Sequence, residues 1–234
     1  MKLLLVPGFM ATKALWEDVA ADFEKVGPLT YADLSEGTSI SDMAERAIEA
    51  APETFALIGF SMGGYVAREI VRKFPDRVQT LVLIATSARA DTPEQALRKS
   101  RAADQLRASS YAGLSRGTVS QSLHPDRATN GEMIDRVRQM SIDLGKDAFL
   151  RQTVQTRKSD LDRLDEISCP TLIIAAAEDR LRSLEEAEEL QAGISGAELC
   201  VIQGSGHMLP IEMPQALVGV VVPWLLSAPV IRHA

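Results

Sequence analysis

The 234-residue sequence has only two cysteines, no long apolar run and fewer basic than acidic residues. Cys169 and Cys200 have neither metal-ligand spacing nor a disulfide framework, so we predict no metal site and a reducing, cytoplasmic location. The stretch 216–226 contains Gly219 and Pro223 and is shorter than the ~20 apolar residues that span a bilayer. We therefore expect no membrane partner.

The shortage of positive charge argues against a nucleic-acid partner. There are 25 Lys and Arg against 32 Asp and Glu, a net charge of −7. Phosphate neutralisation requires clustered positive charge, which an acidic chain of pI ≈ 5.1 does not suggest. Hydrophobic residues at 46% and charged residues at 24% are typical of a globular chain, which excludes disorder and a collagen-like fold.

Short apolar runs alternate with helical patterns along most of the chain. Strands are predicted at residues 2–6, 54–58, 80–85, 171–176 and 198–202. Near-continuous apolar runs of this length are typical of parallel strands that are buried on both faces. Helices are predicted at residues 63–74, 183–194 and 214–226. The alternation predicts an α/β fold with a mostly parallel central sheet flanked by helices.

Residues 89–163 interrupt this alternation with polar helical segments, at 92–106 and 131–144, and no convincing strand. The interruption is too long for an ordinary loop. We predict a core domain formed by residues 1–88 and 164–234, and a helical cap inserted at 89–163.

The predicted cap differs in charge from the core. It holds 14 Lys and Arg against 10 Asp and Glu, whereas the remainder holds 11 against 22. If this positive charge faces a bound small molecule, it favours one with a distal carboxylate or phosphate, or an acidic acyl carrier protein. Alternatively, the arginines pair with carboxylates at helical spacing, as Asp135 could with Arg138 or Asp104 with Arg107.

Ser61 lies in the most specific motif of the sequence, a Gly-x-Ser-x-Gly pattern that runs from Gly59 to Gly63. It follows a predicted strand and precedes an amphipathic helix, which is the context that a nucleophile elbow requires. Side chains at the two glycines would collide with neighbouring backbone, and the helix N-terminus supplies positive potential beside the hydroxyl. Ser61 is the predicted nucleophile.

A serine nucleophile needs a base, and the chain contains three histidines. His207 lies in a glycine-rich loop after the last predicted strand, where sites of open α/β sheets assemble. His124 lies in a turn of the predicted cap, and His233 is the penultimate residue. His207 is therefore the predicted base, and Glu178 or Asp179, after the preceding strand, is the predicted acid; only one of these neighbours can face His207.

The motif and the order serine, acid, histidine resemble the α/β-hydrolase-fold enzymes, and the resemblance covers nearly all of the chain except the predicted cap. Aligning residues 176–179 with the family's Gly-x-x-Asp stretch selects Asp179, although the family's glycine is Ala176 here. The resemblance also implies an oxyanion loop at residues 7–10, with the backbone N–H groups of Phe9 and Met62 as donors.

Four apolar residues near the predicted site are candidates for an acyl pocket, with core packing as the alternative: Met10, Tyr65, Met208 and Leu209. The resemblance implies a cofactor-free serine hydrolase that cleaves a small carboxylic ester through an acyl-enzyme. Enol-lactone hydrolases and a C–C lyase of menaquinone synthesis have similar motifs and size, because fold and triad do not set the substrate. A ligand-binding protein with vestigial turnover is the alternative from another class.

Overall fold

The computed structural model describes residues 1–228 and shows a six-stranded parallel sheet in the order β2-β1-β3-β4-β5-β6. The strands are β1 Leu3–Val6, β2 Leu29–Tyr31, β3 Phe55–Phe60, β4 Val78–Ile84, β5 Thr171–Ala176 and β6 Glu198–Ile202. Five of them agree with the predicted runs to within two residues. The strand β2 was not predicted, because this edge strand has only three residues, all half-buried. The predicted α/β fold is confirmed.

Helices cover both faces of the sheet. They are α1 Glu17–Phe23, α2 Ile40–Glu49, α3 Met62–Lys73, α4 Pro93–Arg107, α5 Arg116–Ser122, α6 Gly131–Thr153, α7 Leu184–Gly193, α8 Leu209–Glu212 and α9 Pro214–Ser227. One apolar core packs α1 and α9 against the sheet, and a second core packs α2, α3 and α7 against the other face. Both faces of the central strands are therefore dry, which explains their continuous apolar sequences.

The segment between β4 and β5 contains α4, α5 and α6, and we call residues 89–163 the cap segment. Helix α6 extends well beyond the predicted 131–144, because a break at Gly145, where φ is +79°, lets the chain continue in helical form to Thr153. No helix within residues 1–228 is long and apolar enough to cross a membrane.

Asp160 joins the cap segment to the core through buried charges. Its Oδ2 and Oδ1 accept hydrogen bonds from Arg68 Nε at 2.8 Å and Nη2 at 2.9 Å, and Arg72 Nη1 donates to Oδ2 at 2.9 Å. Arg68 is completely buried. Burial by itself would raise the pKa of Asp160, but the hydrogen bonds and charges of Arg68 and Arg72 outweigh it and hold the pKa below its usual value.

We expect Asp160→Ala to lower the free energy of unfolding by about 3–5 kcal/mol at pH 7, because Arg68 loses its counter-charge in a buried position. A lowered pKa stabilises the folded state above the unfolded pKa of ~3.9, and this contribution disappears as the pH falls through the folded pKa. Urea denaturation at pH 7 and near pH 3 should therefore show a smaller difference at the lower pH. The exposed Asp165→Ala is the control, and equal stability of both variants would contradict the assignment.

Candidate active site

Ser61 lies on a strained turn between the central strand β3 and helix α3. Its φ is +52° and its ψ −112°, a conformation that non-glycine residues rarely adopt. The Ser61 N–H donates to the carbonyl of Ile84 at 2.9 Å, and the Thr86 hydroxyl donates to the carbonyl of Ser61 at 2.7 Å. The end of the neighbouring strand thus stabilises both the N–H and the carbonyl of the turn residue. A strained conformation persists only where the surrounding structure stabilises it in this way.

The two glycines of the motif are required by close backbone contacts. A Cβ atom at Gly63 would lie 2.3 Å from the carbonyl oxygen of Val6, and one at Gly59 would lie 2.6 Å from the carbonyl oxygen of Gly63. Neither approach is possible for a side chain, so the collision predicted from the sequence occurs.

The structure brings Ser61, His207 and Asp179 together. Ser61 Oγ lies 2.9 Å from His207 Nε2, and Asp179 Oδ2 lies 2.7 Å from His207 Nδ1. Ser61 is 7% exposed, His207 is 5% exposed and the Asp179 side chain is 1% exposed. With Nδ1–H donating to the carboxylate, Nε2 is left to accept the proton of the serine hydroxyl.

The acid loop orients the Asp179 carboxylate. While Oδ2 faces His207, Oδ1 accepts backbone hydrogen bonds from Leu181 at 2.7 Å and Arg182 at 3.0 Å. Each carboxylate oxygen therefore has its own hydrogen-bond partner, which fixes the orientation of the carboxylate with Oδ2 towards the imidazole.

Glu178 has a structural contact that was not predicted from the sequence. It is half-buried rather than exposed, and its Oε2 accepts hydrogen bonds from the backbone N–H groups of Gly204 at 2.8 Å and Ser205 at 3.2 Å. Asp179 therefore holds the imidazole of His207, while Glu178 holds the loop that carries it.

The cap segment also contacts the histidine loop. The His207 N–H donates to the carbonyl of Ser122 at 2.8 Å, and the buried Glu212 carboxylate accepts from the N–H groups of His124 at 2.7 Å and Met208 at 3.2 Å. His124 itself caps a short turn, since its Nδ1 accepts from the Asp126 N–H. His233 lies outside the described residues.

The predicted oxyanion donors, Phe9 and Met62, border the same cavity as Ser61. Within residues 1–228 neither backbone N–H donates to a protein acceptor, whereas the Met10 N–H, next to Phe9, is bonded. Free N–H groups beside a nucleophile can receive a negative oxygen. Met10 has a positive φ of 52°, so the loop that presents Phe9 is strained.

Gln152 holds this strained loop and was not identified from the sequence. Its Oε1 accepts from the Met10 N–H at 2.8 Å, and its Nε2 donates to the carbonyl of Leu34 at 3.1 Å. The side chain is buried, in the part of α6 beyond the break at Gly145. No local signal distinguishes Gln152 from the exposed Gln139 on the same helix, because its contacts depend on where α6 crosses the loop.

A cavity of about 330 Å³ lies between the triad and the cap segment. Met10 and Met208 line it, but Tyr65 and Leu209 do not, so these two pocket predictions are wrong. The Tyr65 ring is buried beneath the Arg68 guanidinium, and its hydroxyl donates to the carbonyl of Arg89 at 3.0 Å. Leu209 is completely buried in the apolar core, which the alternative interpretation of these residues anticipated.

Within residues 1–228 no group of three or more His, Cys, Asp or Glu side chains is arranged to hold a metal ion. A parallel sheet whose central strand leads into a strained serine turn, with the acid and the histidine after two later strands, is the arrangement of the α/β hydrolases. It can activate a hydroxyl nucleophile and stabilise an oxyanion.

The chain belongs to the α/β hydrolase fold family, whose model matches residues 38–214. A monoacylglycerol lipase of Xenopus laevis is 24% identical over an alignment that covers 91% of this chain and 72% of that protein. The monoacylglycerol lipase of Mus musculus is also 24% identical, over 96% of this chain and 75% of its own. The predicted family is confirmed.

Solved structures show the same fold. A thermophilic esterase from Thermogutta terrifontis superposes with a TM-score of 0.84 at 24% identity, covering 97% of this chain and 89% of that one. The enol-lactonase from Burkholderia xenovorans gives a TM-score of 0.79 at 17% identity, covering 97% and 91%. At this identity the likeness concerns the fold and not the substrate.

Proposed function

We propose that the protein is a serine hydrolase that cleaves a small carboxylic ester through an acyl-enzyme intermediate. The observation that carries the proposal is the hydrogen-bonded series from Ser61 Oγ through His207 to Asp179, at 2.9 and 2.7 Å, beside the cavity. Membership of the hydrolase-fold family, and the esterase and lipases among the similar proteins, support an ester-acting hydrolase.

In the acylation half-reaction, His207 Nε2 accepts the hydroxyl proton as Ser61 Oγ bonds to the ester carbonyl carbon. The carbonyl electrons move to the oxygen, which the N–H groups of Phe9 and Met62 stabilise. The bond to the alcohol oxygen then breaks, and the imidazolium gives its proton to the departing alcohol. Asp179 stabilises the imidazolium without taking its proton.

In the deacylation half-reaction, water replaces the alcohol. His207 Nε2 accepts a proton from this water as its oxygen bonds to the acyl carbon, and the same two N–H groups receive the second oxyanion. The bond to Ser61 Oγ breaks, the proton returns to Oγ, and the carboxylic acid leaves.

The proposal is tested by initial rates on p-nitrophenyl esters of increasing acyl length, together with an enol-lactone. We expect saturable turnover of short acyl esters, with a burst of p-nitrophenol that equals the enzyme concentration if deacylation is slower. Turnover of the lactone alone, or C–C bond cleavage without ester hydrolysis, would favour the other two activities. Stoichiometric binding without turnover would indicate the ligand-binding protein.

Gln152→Leu is expected to lower kcat about 10- to 100-fold with little change in KM. Without an acceptor for the Met10 N–H, the peptide group between Phe9 and Met10 can rotate. This rotation displaces the neighbouring backbone N–H of Phe9, the proposed oxyanion donor. A misplaced donor affects the transition state more than the bound ester, and complete loss of a donor costs about 10²–10³ in kcat. The matched control is Gln139→Leu, on the exposed face of the same helix. Equal kcat in both variants would show that Gln152 does not position the loop.

A further inference from the structure

One end of the cavity beside Ser61 is positively charged, although the protein as a whole carries −7. Among the described residues that line this cavity there is no aspartate or glutamate, but there are four basic ones: Arg98, Lys99, Arg157 and Arg182. Three of them come from the cap segment, while Arg182 belongs to the loop that carries Asp179.

The carboxylates that pair with these cations lie behind the cavity wall, and there are too few of them to balance all four positive charges. Buried Asp91 is shared, since its carboxylate accepts from Lys99 Nζ at 2.6 Å and from Arg157 Nε at 2.7 Å. One carboxylate therefore balances two cations. Arg98 is exposed and makes no ion pair with any residue in the described part of the chain.

Arg182 is the least satisfied of the three cations whose side chains are largely buried. Its side chain is only 15% exposed, its nearest carboxylate is Glu186 at 3.7 Å, and its Nη1 donates to the carbonyl of Leu181 at 3.1 Å. Its buried Nε has no hydrogen-bond acceptor within residues 1–228. The Glu186 carboxylate also accepts from the Ser183 N–H at 2.7 Å as part of a helix cap. A buried guanidinium without a full set of acceptors is costly, and a ligand carboxylate that accepts from its Nη groups would stabilise it.

The cations also disfavour one another. Burial lowers the pKa of Lys99 and of Arg182, and the positive charge of Arg157 lowers both further. Two ion pairs at helical spacing form within the cap segment, as expected from the sequence, between Asp135 and Arg138 and between Asp104 and Arg107. None of these four residues lines the cavity. Pairing within the cap segment therefore neutralises the cavity only in part, through Asp91 with Lys99 and Arg157.

We propose that this end of the cavity binds a carboxylate of the substrate, remote from the scissile carbonyl, so that the enzyme prefers an ester that carries a second, ionised carboxyl group. The planar guanidinium of Arg182 can donate two hydrogen bonds to a carboxylate, and Arg98 and Arg157 line the same cavity. The apolar part of the wall, including Val137 and Met140, would hold the carbon chain between the two ends. This assignment rests on the proposed ester hydrolysis at Ser61.

The ligand is a small molecule in this proposal and not an acidic carrier protein. Arg182 and Arg157 have side chains only 15% exposed and face a cavity of about 330 Å³, where the surface of another protein cannot reach them. A carrier protein would require the cations to lie on the outer surface.

The test compares esters that differ only in the terminal group. On the acyl side, mono-p-nitrophenyl glutarate is compared with p-nitrophenyl valerate, and on the alcohol side 4-acetoxybenzoate is compared with 4-tolyl acetate. We expect kcat/KM to favour the anionic ester in at least one pair. Arg182→Gln should reduce that anionic-to-neutral ratio about 10- to 100-fold, since a hydrogen bond to a charged group is lost.

Arg180→Gln is the matched control, because Arg180 is exposed, does not line the cavity and carries the same charge two residues away. It should leave the ratio unchanged. Arg98→Gln, at an exposed side chain without an ion pair, should lower the ratio severalfold and remains informative if Arg182→Gln does not fold. An absent preference in both pairs, or a preference that persists in the Arg182 and Arg98 variants, would overturn the carboxylate site.

Binding of free glutarate separates this proposal from the proposed reaction. Calorimetry should show binding that weakens about 10- to 100-fold in Arg182→Gln and not in Arg180→Gln. Neutral-ester turnover without glutarate binding would leave the ester hydrolase and remove the carboxylate site. Glutarate binding that depends on Arg182, with no turnover of any ester, would leave the anion site and remove the hydrolase.

Discussion

Replacing Ser61 by alanine is expected to lower kcat for any ester substrate by about 10⁵- to 10⁶-fold, as removal of the nucleophile does in serine hydrolases with a complete triad. Without Oγ, His207 has no hydroxyl to activate and no acyl-enzyme can form. A residual rate of about 10³–10⁴ over water is expected to persist, because Phe9 and Met62, the proposed oxyanion donors, still border the cavity.

The Ser61→Ala comparison needs a folding control and a chemical one. Alanine and serine share the strain of a positive φ, so the Tm of Ser61→Ala should be close to that of the wild type. Ser109→Ala, at an exposed serine, should keep full activity. A fluorophosphonate probe should add once, at Ser61, and mass spectrometry that placed the adduct on Ser205 would refute the assignment.

Asp179→Asn is expected to lower kcat by about 10³- to 10⁴-fold. The carbonyl oxygen of the new amide would keep the two backbone hydrogen bonds from Leu181 and Arg182, because these N–H groups need an acceptor. The amide NH₂ would then face His207 Nδ1 and stabilise the tautomer with its proton on Nε2, which cannot accept from Ser61. Steady-state kinetics on a neutral aryl ester measures the loss.

The matched substitution is Glu178→Gln, one residue earlier. Glutamine keeps a carbonyl oxygen that can accept from the Gly204 and Ser205 N–H groups, so kcat should fall less than tenfold. Glu178→Ala removes that acceptor and should have a larger effect, through displacement of the loop that carries His207. A larger loss in Glu178→Gln than in Asp179→Asn would show that the wrong neighbour had been assigned to the imidazole.

Local physics made a large part of the fold and site predictable. The turn at Ser61 could be identified because strand, glycines and helix are contiguous, and each restricts the backbone of the next. The strand β5 was located to the residue because a strand buried on both faces needs a continuous apolar run. The edge strand β6, which is only partly buried, was located by its short apolar run after Glu198. The choice of Asp179 over Glu178, in contrast, came from a resemblance to known enzymes.

Only the tertiary structure decided which side chains border the cavity. Tyr65 lies four residues after Ser61 in a rigid helix, yet its ring turns away towards Arg68, and Leu209 turns into the core. Orientation on this scale depends on how helices pack against the sheet, and apolar character does not distinguish a cavity wall from a core.

The contacts made by Gln152 and Arg182 depend in the same way on separate segments meeting. Gln152 is 142 residues from Met10 along the chain, and Arg182 meets Arg157 and Lys99 only because the cap segment lies beside the acid loop. The sequence by itself determined the parallel sheet and the strained serine turn, since these follow from neighbouring residues. The charge of the cavity and the support of the oxyanion loop arise from contacts between distant segments, so no pattern of neighbouring residues predicts them.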